Sequence, residues 1–409
     1  MAVEPVKFLS PTTDVWCELN PDTTGLPDPE KKIKESETGV AREALRDMLL
    51  SSLQMQNVAV LAGCGTSLKG TANGPSMEDL WNEVKQIEVP IAAKPTAKIA
   101  DVQKMVRYQP PAGMAPNVEE FLSRCQAYLG VYENDPTIKE FIHAANKKIL
   151  EKCSFVDDTT DLSNHQTFLH RLSRRRVRDS RLKVFTTNYD LCFERAAGKN
   201  GSVVVDGFSF SRPRAFDPRY FSYDIVRRPR TGEDLGNYLE GVVQLFKLHG
   251  SVNWERNDNG EVFEKTNPDP DKACLIYPAS GKYQQSYIQP HLELVAQYLS
   301  TLREPNTCLL IAGFGFNDDH LSEPILSAVK SNPHLRLIVA DYHAERNLLD
   351  ATKCSHAWEE LSGLAKDGED IWFINASFGE LAKKLPDLRS LTKTERLAKS
   401  IKAVAGGHA

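Results

Sequence analysis

The sequence predicts an α/β protein: a doubly wound, mostly parallel sheet with an all-helical module inserted into it. Three observations predict this. From residue 182 to 385, short apolar runs alternate with segments of helical spacing, the pattern of parallel strands joined by crossover helices. A similar apolar run, Asn57 to Ala62, stands alone upstream and ends in Gly63. Between the two lies a stretch, 76 to 180, with apolar residues three and four apart and no strand signal of comparable strength.

Taken in order, residues 1–36 are rich in Pro, Asp and Thr and predict no regular element. Phe8 and Trp16 could anchor this arm on the core or on another subunit. Val40, Leu45, Met48 and Leu49 recur at helical spacing and predict a helix from Thr38 to Gln54. Asn57 to Ala62 is a buried parallel strand. Ser76-Met77-Glu78-Asp79 has the form of a capped helix start. Further helices are expected at Val118–Val131, Thr137–Cys153 and Asp161–Leu172. Strands are then expected at 182–186, 202–206, 242–248, 273–277, 307–312, 335–340 and 371–375, and helices at 190–198, 287–302, 318–330, 355–366 and 377–385. Residues 207–240 and 255–271 are rich in Pro, Gly, Asp and Arg and are expected as loops. A last helix, Lys393 to Val404, has a basic face and runs into Gly406-Gly407. The organisation is an arm at 1–36, a sheet domain at 37–75 and 181–388, an inserted helical module at 76–180, and a helical tail at 389–409.

The 409 residues, 41% apolar and 26% charged, suit a soluble globular chain of two or three domains. A net charge of -5 leaves any attraction to nucleic acid to a local patch. One candidate is the run Arg171, Arg174, Arg175, Arg176, Arg178, Arg181 and Lys183. A salt-bridged helix end and a nucleic-acid or partner contact both fit it. No aromatic interleaves the run, which excludes a base-stacking platform there. No two of the eight cysteines lie within four residues of each other, so the paired ligands of a zinc ribbon are absent and no metal is expected. Scattered thiols fit a reducing compartment. No apolar run reaches the roughly 20 residues of a membrane span, and the N-terminus lacks the features of a signal peptide. A cytoplasmic location, with no membrane contact, is the expectation.

Four motifs carry the chemistry. Gly63-Cys64-Gly65-Thr66-Ser67 follows a strand. It is either a simple tight turn or a dinucleotide site in which glycines admit a phosphate to backbone N–H groups. Leu68 stands where the dehydrogenase fingerprint has its third glycine. Thr187-Asn188-Tyr189-Asp190 lies between a strand and a helix, at the sheet edge where such folds do chemistry. Asn188 and Asp190 are either helix caps or residues of a site at that edge. His249 ends the strand before Gly250, as a packed residue or as a general base. Gly313-Phe314-Gly315-Phe316 follows another strand, and Asn317-Asp318-Asp319-His320 then caps a helix, with His320 expected at the surface or in the cap.

Together these motifs resemble the sirtuin (silent information regulator) family, with its Rossmann-like fold. The resemblance covers residues 57–67 and 182–378. It implies NAD as a substrate. Gly63, Cys64, Gly65 and Ser67 match the family's first glycine motif, with Thr66 and Ser67 offering hydroxyls to phosphate or ribose. Thr187 and Asn188 match the motif facing the nicotinamide ribose, where Asn188 would orient the ribose or a water and Asp190 would hold the nicotinamide amide or the helix start. His249 matches the general base. Gly313, Phe314 and Gly315 match the adenine-ribose segment, Asp341 the acidic position on the adenosine ribose, and Ser377 and Phe378 the adenine edge. The family's zinc ribbon is absent. So is its segment after the first motif, where this chain reads Gly70-Thr71-Ala72-Asn73-Gly74-Pro75. Both departures point away from deacylation and towards an NAD glycohydrolase that releases nicotinamide and ADP-ribose. The resemblance further implies an oligomeric anti-phage effector paired with a HerA-type ring ATPase. The alternatives are an ADP-ribosyltransferase or deacylase using the same cleft, and a non-catalytic nucleotide sensor or nucleic-acid-bound assembly subunit.

Overall fold

The structure, a computed structural model, describes residues 6–21, 23–24, 27–91, 94–110, 116–176, 179–226, 238–276, 288–350 and 355–388. Two short strands, β1 (Lys7–Leu9) and β2 (Cys17–Glu18), precede helix α1 (Asp28–Leu53) and strand β3 (Asn57–Ala62). The insertion then holds α2 (Met77–Val84), the hairpin β4 (Val89–Ile91) and β5 (Lys94–Ala97), α3 (Ile99–Met105), α4 (Val118–Val131) and α5 (Pro136–Cys153). The sheet domain resumes with α6 (Ser163–Ser173), β6 (Leu182–Thr186), α7 (Cys192–Lys199), β7 (Val203–Val205) and β8 (Val242–Lys247). A side sheet follows, β9 (Gly250–Arg256), β10 (Val262–Glu264) and β11 (Ala273–Leu275). The remainder is α8 (His291–Arg303), β12 (Thr307–Ala312), α9 (Asp319–Ser331), β13 (Leu335–Asp341), α10 (Ala344–Leu349), α11 (His356–Lys366), β14 (Ile371–Asn375) and α12 (Phe378–Lys384).

The main sheet has the order β2-β1-β14-β13-β12-β3-β6-β8-β7. All pairs from β14 to β7 are parallel, and only β1 and β2 run against their neighbours. The expected doubly wound, Rossmann-like sheet is therefore present. Side chains along β3 alternate between two cores. Val58, Val60 and Ala62 face the layer holding α1, α6, α7 and α12, while Ala59 and Leu61 face the layer holding α8, α9 and α11. Both faces being covered explains why β3 and β12 read as unbroken apolar runs.

The departures have local causes. Helix α1 begins at Asp28, ten residues before the expected start, so the arm boundary at 36 falls inside it. Its first turns carry Glu30, Lys31, Lys32, Lys34 and Glu35, which supply helix propensity but no apolar stripe. The rest of the arm adds β1 and β2 to the sheet edge, with Phe8 buried against Trp372, ring centroids 6.3 Å apart. The insertion is not all-helical, since it contains the β4–β5 hairpin. It also ends sooner than residue 180, because Phe168, Leu169 and Leu172 of α6 belong to the core of the sheet domain. The strand expected at 273–277 joins the side sheet rather than the main one, pairing with β9. The tail helix at Lys393–Val404 lies outside the described residues. Among the described residues, no helix is long and apolar enough to cross a membrane.

Candidate functional site

The chain winds away from β3 and β12 in opposite directions, so the loops after these neighbouring strands diverge and leave a crevice at the carboxyl edge. A cleft of about 200 Å³ lies there. Thr187, Asn188, Asp190, His249 and Phe314 line it from the sheet, and Met77, Leu80, Glu119 and Cys153 line it from the insertion. The insertion has its own core, in which Trp81, Phe121 and Phe141 meet at 5.6 and 5.5 Å. That core touches the sheet side through Tyr189, Leu191 and Val252.

The two glycine turns interlock. The Gly65 N–H donates to the Gly313 carbonyl at 2.9 Å. A Cβ added to Gly63 would meet that carbonyl oxygen at 2.5 Å, and one added to Gly65 would meet Gly313 Cα at 2.7 Å. Gly313 itself has φ +59° and a Gly65 carbon 2.7 Å from where its Cβ would stand, a conformation and a space that favour glycine. The glycines thus admit one loop to the other. The N–H groups of Gly63, Gly65, Thr66 and Ser67 all donate to carbonyls inside the protein, so the expected row of exposed N–H groups for phosphate is not formed. Thr66 and Ser67 are also placed differently from expectation. Both are buried, and their hydroxyls serve Asn188.

Asn188 is held from several directions. Its N–H donates to Thr186 Oγ1 at 3.1 Å, and Nδ2 donates to Thr66 Oγ1 and Ser67 Oγ at 3.1 and 3.0 Å. Thr66 spends its own proton on the Gly63 carbonyl at 2.8 Å, so its oxygen can only accept, which fixes the amide orientation. Both amide protons are used, and Oδ1 is the group Asn188 offers a ligand. Asp190 realises the helix-start alternative: its Oδ1 accepts the Cys192 N–H at 2.9 Å in the first turn of α7. Lys247, only 2% exposed, donates to the Tyr189 carbonyl at 3.1 Å, to the Asp190 carbonyl, and to Glu194 Oε1 at 3.0 Å.

His249 is buried and paired. Its Nε2 lies 3.1 Å from His320 Nε2, with the rings stacked at 24°. His320 is therefore not a surface residue: α9 buries it against His249. At such a contact one nitrogen donates and the other accepts, so the two rings share one proton along that edge. Behind them, His291 Nδ1 lies 3.1 Å from the Leu248 carbonyl, and burial pulls its pKa down to about 4. Two thiols, Cys64 and Cys153, line the cleft. Burial pushes Cys153 up to about 12. The crowded cleft mouth, then the Asp341 and Asp318 carboxylates, push Cys64 up.

The other expected ligands are spread out. Phe314 and Gly315 line the cleft, whereas Asp341, Ser377 and Phe378 do not. Asp341 Oδ1 accepts the His343 N–H at 2.8 Å. Ser377 caps α12 in a capping box with Glu380, and Phe378 is buried against His165 and Phe168, centroids 4.9 Å from each. The basic run ties the fold together. Arg171 donates to the carbonyls that end α12, Arg175 to those of Leu53, Met55 and Gln56, and Arg181 grips Asp224. Arg178 lies outside the described residues. Among the described residues, no group of three or more His, Cys, Asp or Glu could hold a metal ion.

Sequence reasoning missed Lys247, Glu119 and the partnership of His320. For Lys247 a signal existed, since it is the one charged residue in the apolar run Val242 to Leu248. For Glu119 none did, because only tertiary folding brings α4 to the cleft.

Residues 182–360 match the family model of the SIR2-like domain. The matched stretch contains Asn188, Asp190, His249 and Gly313 but not the turn at Gly63. No curated protein matches the chain. Among similar solved structures, one described as the structural basis for the mechanism and regulation of Sir2 enzymes is 11% identical with a TM-score of 0.40, covering 85% of this chain and 100% of that one. Another, described as the structural basis of sirtuin substrate affinity, is 10% identical with a TM-score of 0.38, covering 83% of this chain and 97% of that one. The family likeness of this chain is thus to the SIR2-like domain, over residues 182–360.

Proposed function

We propose that the protein is an NAD glycohydrolase, cleaving NAD to nicotinamide and ADP-ribose. The observation that carries this reading is the convergence of Asn188 and His249 on one cleft at the switch point of the sheet, with the Asn188 amide locked so that its oxygen is presented. Breaking the nicotinamide–ribose bond leaves the electron pair on the ring nitrogen, so the leaving group departs neutral and needs no acid. The sugar passes through an oxocarbenium-like state. A fixed amide oxygen suits that developing positive charge, or a water held beside it. Water then bonds to the anomeric carbon and gives up a proton, and the buried His249–His320 pair on the cleft is our candidate acceptor for it. The insertion favours hydrolysis over acyl transfer in this reading, because Met77, Leu80 and Glu119 take up part of the lining of the cleft that holds Asn188. The resemblance extends the proposal to an anti-phage effector that depletes NAD within an assembly containing a HerA-type ring ATPase.

The test is to incubate the protein with NAD, alone and with phage DNA or a co-encoded ATPase, and to quantify nicotinamide and ADP-ribose. Loss of NAD that requires both Asn188 and His249 is expected. NAD consumption that survives Asn188→Ala and His249→Ala would overturn the assignment, and an acylated or ADP-ribosylated acceptor among the products would replace hydrolysis with transfer.

A further inference from the structure

We infer that Lys247 is a positioning residue for the reaction, setting the backbone on which Asn188 stands. The inference rests on the glycohydrolase reading above and adds to it a residue that never touches the substrate. An ammonium group has three protons to donate, and the Lys247 group has three acceptors: the Tyr189 carbonyl at 3.1 Å, the Asp190 carbonyl, and Glu194 Oε1 at 3.0 Å. Two of these are the first carbonyls after Asn188. They lie between the end of β6 and the start of α7, where no ladder or helix takes up the carbonyl of Asp190. The Tyr189 carbonyl also accepts the Val252 N–H at 3.0 Å, so Lys247 joins the Asn188 loop to β9 as well as to α7.

The chemistry explains why a charge is kept in a buried strand. A buried ammonium is costly unless fully paired. A neutral apolar residue at the end of β8 would fill the space but leave the Asp190 carbonyl without the partner it has in Lys247. Glu194, in the first turn of α7, balances the charge and holds the cation at the loop. Asn188 is therefore fixed at two levels. Thr66 and Ser67 orient its amide, and Lys247 sets the main chain that carries it. A displacement of about 1 Å in a reacting group can cost about 100-fold in rate, so the loop's position bears directly on turnover.

The test compares the full-length protein with Lys247→Met, Lys247→Gln and Glu194→Gln, measuring kcat, KM, thermal midpoint and amide hydrogen exchange in the absence of NAD. With Lys247→Met, kcat is expected to fall about 100-fold with KM for NAD changed less than about threefold. Exchange at the Cys192 and Val252 amides should accelerate, because their acceptors belong to Asp190 and Tyr189. Glu194→Gln keeps an acceptor for Lys247 but removes the charge that balances it, so kcat should fall by less than in Lys247→Met. If Lys247→Met is not recovered folded, Lys247→Gln takes its place, since its two protons can serve only two of the three acceptors. Wild-type kcat in a folded Lys247 variant, or a loss explained entirely by its unfolded fraction, would overturn the inference. If the wild type does not consume NAD, the glycohydrolase reading fails. The positioning role is then judged by exchange alone, and unchanged rates at Cys192 and Val252 would end it.

Discussion

On the sheet side of the cleft, Gly63, Gly65 and Gly313 leave no room for one more carbon, and Asn188 has its amide protons assigned. On the other side, Met77, Leu80 and Glu119 reach the cleft from helices whose packing centre is a separate aromatic cluster. The first wall is fixed by main-chain contact and hydrogen-bond direction, the second by side-chain packing at a distance. Two walls built so differently should fail differently: the sheet wall loses chemistry while staying folded, and the inserted wall loses stability or access while the chemistry survives.

Five measurements break or sharpen this contrast. The largest effect is expected in the insertion. Phe121→Ala removes the ring touching Trp81, Tyr108 and Phe141 and should destabilise that module by about 3–5 kcal/mol. Denaturant unfolding followed at both regions should show the insertion melting first, and one shared transition would merge the two walls into a single unit. Next, Asn188→Ala should lower NAD turnover about 10²–10³-fold with little change in thermal midpoint. A comparable fall in stability would make Asn188 a structural residue.

The third measurement uses pH. His165 and His291 are buried in the sheet domain, and burial lowers each pKa from 6.5 to about 4. The unfolded chain then binds more protons than the folded one between these values. Stability is full above pH 6.5 and falls as the pH drops towards 4, by at most roughly 3 kcal/mol per histidine. His165→Phe should flatten part of that slope, and acid titration of this variant and the wild type by thermal melting checks it. Fourth, Gly313→Ala should cost about 2 kcal/mol through backbone strain and the collision with Gly65, read as a lower melting temperature. The smallest effect is that of Glu119→Gln, expected to shift KM for NAD by less than about tenfold and leave kcat unchanged. A large fall in kcat would give the inserted wall a share of the chemistry.

What could be read in the sequence follows the same division. Strands β3, β6, β12 and β14 coincide with their expected bounds, because a strand covered on both faces is an apolar run with sharp ends. Asn188 and His249 could be picked out as candidates because each sits where such a run stops. The early turns of α1 could not, since they are charged all round. Neither could β1, whose partner β14 lies more than 350 residues away, nor β2, which pairs only with β1. Thr66 and Ser67 were legible as hydroxyls but not as the groups that orient Asn188, which depends on folding 121 and 122 residues together. Lys247 showed itself only as an anomaly, a charge where the strand pattern wanted an apolar residue.

The pairing of β1 with β14 has a consequence in time. Lys7 lies opposite Asn375, so during synthesis the first strand made must wait for the last. At about 5–20 residues per second, that wait is roughly 20–70 seconds. Through it the nascent chain carries Phe8 without Trp372 to cover it and a strand without its neighbour. The sheet edge closes only after the cleft-bearing strands have been made, which makes its closure a late event in the birth of the molecule and leaves an open edge for the ribosome's attendant chaperones to guard.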